Sequence, residues 1–189
     1  MIPPSFDYAT PQSLSEAIAL LHQHGSEAKV LAGGHSLIPA MRLRFAEPSH
    51  LIDISGIAGL SYIRESDGFL RIGAMTREVE LEDSELIQSN YPILLDTAKM
   101  IADPQVRNLA TLGGNLAHGD PANDHPATML ALRAHVEITG QGGNAPCRLM
   151  TSFRISSRPC WNTGRFSPRS RFRFHLPTVV VRTSRSSAR

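Results

Sequence analysis

No stretch of the 189 residues comes near the roughly 18 consecutive apolar residues of a membrane-spanning helix. The first residues, Met1-Ile2-Pro3-Pro4-Ser5-Phe6-Asp7, lack the basic and apolar regions of a secretory leader. A cytoplasmic protein without a membrane span is therefore expected. Only two cysteines occur, Cys147 and Cys160, at a spacing that suits neither a zinc site nor a disulfide framework, and Trp161 is the only tryptophan. Neither GxGxxG nor GxxxxGK(S/T) is present, which disfavours a Rossmann fingerprint and a P-loop. Acidic residues stop at Glu137. Residues 1–140 hold nine Lys and Arg against 17 acids, a balance of −8, whereas residues 141–189 hold ten arginines and no acid. The net charge of +2 conceals this division.

What is present centres on two glycine pairs of the same grammar. Ala32-Gly33-Gly34-His35-Ser36 follows the apolar Val30-Leu31, and Thr111-Leu112-Gly113-Gly114-Asn115 opens a polar stretch that runs to Asp124. A lone Gly-Gly pair is ordinarily a turn. Two pairs, each followed closely by a small hydrogen-bonding side chain, suggest more. Glycines admit positive φ and let backbone N–H groups approach a ligand without a Cβ in the way, and successive N–H groups form an anion-binding concavity. Two such cradles fit one ligand with two phosphates.

Around them the chain reads as a soluble α and β protein with 41% hydrophobic residues. Ser13 and Glu16 make a capping box, Ala17, Leu20 and Leu21 share a helix face, and Gly25 supplies the stop. With Lys29–Ala32 and Leu51–Ile54 as strands and a helix over Leu37–Leu43, the first part is a β-α-β-α-β unit. Ser66-Asp67-Gly68 marks a hairpin, Thr76 is placed to cap a helix from Arg77, Ser84 opens another, and Pro92 sits in the first turn of a third. Asp124 is placed to cap the helix through Pro126–Leu132, which leads into strand His135–Ile138. His118, Asp120, Asp124 and His125 crowd eight residues, but their spacing matches neither HExxH nor an EF-hand, and no metal site is expected.

The segment 141–189 shows no folding pattern; its composition fits a reading-frame shift near Gly140 and a disordered tail better than a linker. Val179-Val180-Val181 is its one β-prone run.

In their order and spacing, Ala32–Pro39, Ile72-Gly73-Ala74, Ile101–Asn108 and Thr111–Asp124 resemble the flavin-binding medium subunit of molybdenum hydroxylases, of the carbon monoxide dehydrogenase type. The resemblance covers about residues 1–140, with Leu112 in place of a more usual isoleucine. It implies an α+β, two-lobed FAD-binding fold of the vanillyl-alcohol oxidase type: a first lobe at 1–57, a second at 58–140, a non-family tail at 141–189, and the C-terminal domain missing. It implies FAD held through Ala32, Gly33, Gly34, His35, Ser36, Thr111, Leu112, Gly113, Gly114 and Asn115, with Asp124 near the ribityl and phosphate portion, and no catalytic residue on this chain. It implies an oxidoreductase subunit that takes electrons from a 2Fe-2S small subunit, itself served by a molybdenum-cofactor large subunit, to FAD and an acceptor, without nucleic acid. The alternatives are a nucleic-acid-binding module with a basic tail, which salt-sensitive polynucleotide binding would mark, and a non-functional truncated product.

Overall fold

The computed structural model describes residues 2–120, 122–140, 143–148 and 176–182; Cys160, Trp161 and most of the arginine-rich segment lie outside these.

Strand β1 (Asp7–Ala9), helix α1 (Leu14–His24), strand β2 (Ala28–Leu31), helix α2 (Leu37–Arg42) and strand β3 (His50–Asp53) follow the expected β-α-β-α-β order. β3 lies between β1 and β2 and runs parallel to both. Parallel strands need crossover connections, which α1 supplies between β1 and β2 and α2 between β2 and β3. Its start is fixed by Ser13 Oγ, which accepts the Glu16 N–H at 3.2 Å, while the Glu16 carboxylate takes the N–H of Gln12, one residue earlier than a capping box requires. Its end is Gly25 at φ 59. Ala17 and Leu21 then pack on Ala28, Ile52 and Ile54.

The second sheet is antiparallel in every described pairing and opens with the expected hairpin, β4 (Ile63–Ser66) and β5 (Phe69–Ile72). Asp67 and Gly68 turn it with φ 55 and 75, the two positive values that a two-residue type I′ turn demands. Six helices follow: α3 (Glu78–Asp83), α4 (Glu85–Asn90), α5 (Pro92–Met100), α6 (Pro104–Arg107), α7 (Leu112–His118) and α8 (Asp124–Ala131). Strands β6 (His135–Gly140), β7 (Gly143–Arg148) and β8 (Leu176–Arg182) complete a sheet of order β4-β5-β8-β6-β7. Leu70, Ile72, Val136 and Ile138 from the sheet and Leu94, Leu116 and Met129 from the helices share one core.

Two expectations change here. Thr76 does not cap α3; it is buried, its hydroxyl donates to Tyr62 O at 3.0 Å, and Arg77 is the capping position, its N–H donating to the Glu80 carboxylate at 2.7 Å. The region from 141 onward, expected to be disordered, contains β7 and β8. β8 lies at the centre of the sheet, antiparallel to β5 and β6, with Val181 buried opposite Leu70. The reason is physical: a β-branched run is a good strand former, and without it β5 and β6 would each present an unpaired edge.

Candidate ligand-binding site

β2 ends at Leu31, whose carbonyl accepts the Ile54 N–H at 3.1 Å, and the chain then turns through Ala32–Ser36 into α2. Of the two glycines only Gly34 has positive φ, at 77. Gly33 is required for a different reason: a Cβ there would lie 2.1 Å from the Leu109 carbonyl oxygen and 3.0 Å from Ala110 Cα. Within the described residues no hydrogen bond uses the N–H groups of Gly33, Gly34, His35 or Ser36. His35 and Ser36 are exposed. This turn therefore presents the row of N–H groups that an anion-binding concavity needs.

The second stretch differs from the expected cradle. Thr111 is an N-cap whose Oγ1 accepts the Gly114 N–H at 3.2 Å, and Leu112 to His118 are helical. Leu112 N–H donates to Thr76 O and Gly113 N–H to Ala74 O, each at 3.0 Å, while Asn115 N–H donates to Thr111 O at 2.9 Å. All four N–H groups are thus already used, and neither glycine has positive φ. Gly113 and Gly114 are small because neighbours are close: added Cβ atoms would sit 2.5 Å from Ala74 O and 2.7 Å from Thr111 Oγ1. What this stretch presents instead is the Asn115 amide, whose Oδ1 is buried and unpartnered.

The two stretches meet. Gly33 presses on Leu109 and Ala110, just ahead of Thr111, and a Cβ on Gly114 would be 3.7 Å from Ala32 Cβ. Beside this junction opens a cavity of about 470 Å³ lined by Gly33, Gly34, His35, Ile38, Arg42 and Leu109, among others. The volume is in the range of small-molecule sites. Its walls combine apolar side chains with one guanidinium and one imidazole.

Asp124 is the first residue of α8 and is exposed; the capping position belongs to Asn123, which makes no side-chain cap, so the expected capping role of Asp124 is not realised. Of the polar residues around it, Asp120 accepts the Ala122 N–H at 2.9 Å and His118 is exposed. His125 points the other way and is fully buried against Glu78, with His125 Nε2 and Glu78 Oε2 hydrogen-bonded at 2.8 Å. Among the described residues no three His, Cys, Asp or Glu side chains converge as a metal site.

At the same strand ends, Asp53 of β3 pairs in register with Leu31 and accepts the Tyr8 hydroxyl. Burial pushes the Asp53 carboxyl up, but hydrogen bonds from Tyr8 and Ser55 outweigh it and hold the group below the usual carboxylate range. The hydrogen bond to Asp53 raises Tyr8 above the ordinary phenol value, helped by burial and by the neighbouring negative charge.

Reasoning from the sequence missed Leu109 as the wall that Gly33 meets, and missed Glu78 altogether. An apolar leucine between the polar Arg107-Asn108 and the second stretch was the available signal for the first. The second had none, because a helical glutamate is ordinarily on the surface.

Comparison with known proteins adds independent evidence. A family model described as the FAD binding domain in molybdopterin dehydrogenase matches residues 4–159, past the Gly140 boundary where the resemblance was expected to stop. The carbon monoxide dehydrogenase medium chain of Hydrogenophaga pseudoflava is 56% identical over 143 residues, covering 76% of this chain and 50% of the relative. The nicotine 6-hydroxylase medium subunit of Paenarthrobacter nicotinovorans is 34% identical, covering 98% of this chain and 71% of the relative. Among solved structures, a carbon monoxide dehydrogenase from H. pseudoflava lacking the Mo-pyranopterin moiety superposes with a TM-score of 0.86 at 44% identity, covering 97% of this chain and 61% of that one. The chain thus spans about half the length of the carbon monoxide dehydrogenase medium chains it matches.

Proposed function

The chain belongs to the family of FAD-binding domains in molybdopterin dehydrogenases, and from that membership we propose that it is the FAD-binding electron-transfer subunit of a molybdenum hydroxylase. It is an oxidoreductase subunit, and its cofactor is FAD. The finer reading is that electrons reach it from a 2Fe-2S small subunit whose own source is a molybdenum-cofactor large subunit, and leave to a separate acceptor. The two sheets are read as the two lobes of a vanillyl-alcohol oxidase type fold, residues 1–57 and 58–140, with β8 closing the second.

The observation that carries the reading is the junction of Gly33 with Leu109–Ala110. It sets the Gly33–Ser36 turn, with its unused N–H groups, against the Leu109–Gly114 segment that leads into Asn115, whose amide oxygen is buried and unpartnered. The residues fit the cofactor. The first turn would hold a phosphate through backbone N–H groups, and the buried Asn115 amide, which can present either its oxygen or its NH2, would meet a hydroxyl or phosphate. Thr111, Leu112, Gly113 and Gly114 build the floor by close packing rather than by donating, and Asp124 would accept from hydroxyls. Bound FAD supplies hydride and single-electron chemistry. The chain contributes orientation, charge neutralisation at the phosphates through the Gly33–Ser36 N–H groups, and exclusion of water by Ile38 and Leu109.

The test is anaerobic rapid mixing of the assembled hydroxylase with its substrate. Bleaching of the flavin band after the iron–sulfur bands supports the order of transfer; a flavin that stays oxidised while the clusters reduce contradicts it.

A further inference from the structure

That reading leaves two buried ionisable side chains without a role. Glu78 is the first residue of α3 and His125 the second of α8, and both are fully buried. Their bond leaves Glu78 Oε1 and His125 Nδ1 buried with no hydrogen-bond partner. Such a pair is a poor source of stability. An unmet buried polar atom is destabilising, and an apolar pair of equal volume is often as stable or more so. What an apolar pair lacks is direction.

The surroundings show what that direction serves. The Glu78 N–H donates to Ala110 O at 3.0 Å, and Arg77 forms an antiparallel bridge with Thr111, so the start of α3 is fixed to the entry of α7. His125 follows Asp124 in the chain, and no side-chain cap secures the first turn of α8. The bond between His125 and Glu78 ties the turn that bears Asp124 to the Thr111–Asn115 stretch. We propose that Glu78 and His125 are positioning residues that hold Asp124 in register with Thr111–Asn115 for FAD, an inference that rests on the reading of Asp124 as a cofactor contact.

The test is a thermodynamic cycle on FAD affinity, read by flavin fluorescence, with thermal melting alongside. Four proteins are compared: the unaltered chain, Asp124→Ala, the volume-matched Glu78→Met/His125→Phe, and the combination of all three. Asp124→Ala weakens FAD binding by about tenfold. The double variant melts at or above the temperature of the unaltered protein, yet loses FAD affinity to a similar extent. Adding Asp124→Ala to it costs nothing further, the non-additivity expected when one group acts through another. Additive losses overturn the inference, as does a double variant that binds FAD normally. Full affinity in Asp124→Ala alone would instead remove Asp124 from the site, and the inference with it. If the double variant fails to fold, two single changes decide. His125→Gln can still donate to Glu78 and keeps affinity within about threefold, whereas His125→Leu loses about tenfold; equal affinities in the two overturn the inference.

Discussion

Gly33→Ala isolates the contact between the Ala32–Ser36 turn and Leu109–Ala110. The new Cβ would stand 2.1 Å from the Leu109 carbonyl oxygen and 2.9 Å from its carbon, and both obstacles are backbone. No rotamer change relieves the clash, so the two backbone segments must part by roughly 1 Å to reach ordinary contact distance. Overpacking of this kind costs about 1–3 kcal/mol. If FAD needs the closed arrangement, the same energy appears as a rise in Kd of about 5- to 150-fold. Gly56→Ala is the control: an added Cβ meets nothing within 4 Å, and φ there is not positive. That substitution is expected to be neutral, or stabilising by about 0.4–1 kcal/mol through the unfolded state. The assay is urea unfolding beside an FAD titration for all three proteins. Unchanged stability and affinity in Gly33→Ala would mean that Ala32–Gly33 and Leu109–Ala110 are not in contact, and the reasoning about the junction would fail.

Tyr8→Phe tests the pair at the strand ends. Asp53 is lowered, so its contribution is present above the unfolded carboxyl value and lost as pH falls through the folded one; Tyr8 is raised, so its contribution is present below pH 10.0 and lost as pH rises through its folded value. Thermal melts should therefore show the variant less stable than the unaltered protein near neutrality and the two converging at either extreme; a constant gap across pH would rule out the linkage. Arg107→Ala removes a largely buried guanidinium that bonds Glu82 at 3.0 Å and the carbonyls of Ile101 and Ala102. A loss of about 2 kcal/mol, or roughly 4–8 °C in Tm, is expected, and Arg107→Lys should not restore it because lysine lacks the planar fork. Val181→Ala should cost about 1–3 kcal/mol by chemical denaturation, because Val181 is buried at the centre of the second sheet. No change would mean that β8 is not part of the core.

Much of the first sheet and the β4–β5 hairpin was legible because their signals are local: Ser13 and Gly25 at the ends of α1, Asp67-Gly68 between two apolar runs. The second glycine stretch was read as a turn since two adjacent glycines weaken a helix by about 1 kcal/mol each. Close packing against Ala74 outweighs that, while Thr111 and Gly119 at φ 67 supply the caps that could have signalled a helix. Gly33 and Gly34 were visible as a pair, but the separate reasons for the two glycines were not. One depends on Leu109, 76 residues away in sequence, and the other on local φ. β8 was the hardest element, because its place between β5 and β6 is set by pairing with strands that both lie more than 35 residues earlier in the chain. Glu78 and His125 belong to the same class: two helical residues whose burial only the tertiary packing decides.

We propose that the two glycine stretches together hold FAD, with the diphosphate at the Gly33–Ser36 turn, and flavin binding by the purified chain tests this by comparing FAD with riboflavin and using ADP as competitor. Saturable binding of one FAD per chain is predicted, with weak riboflavin binding, displacement by ADP, and release of the yellow chromophore into the supernatant on acid precipitation. Riboflavin binding as tightly as FAD, or no effect of ADP, would contradict a site organised around the diphosphate, and colour retained on the acid pellet would contradict noncovalent attachment.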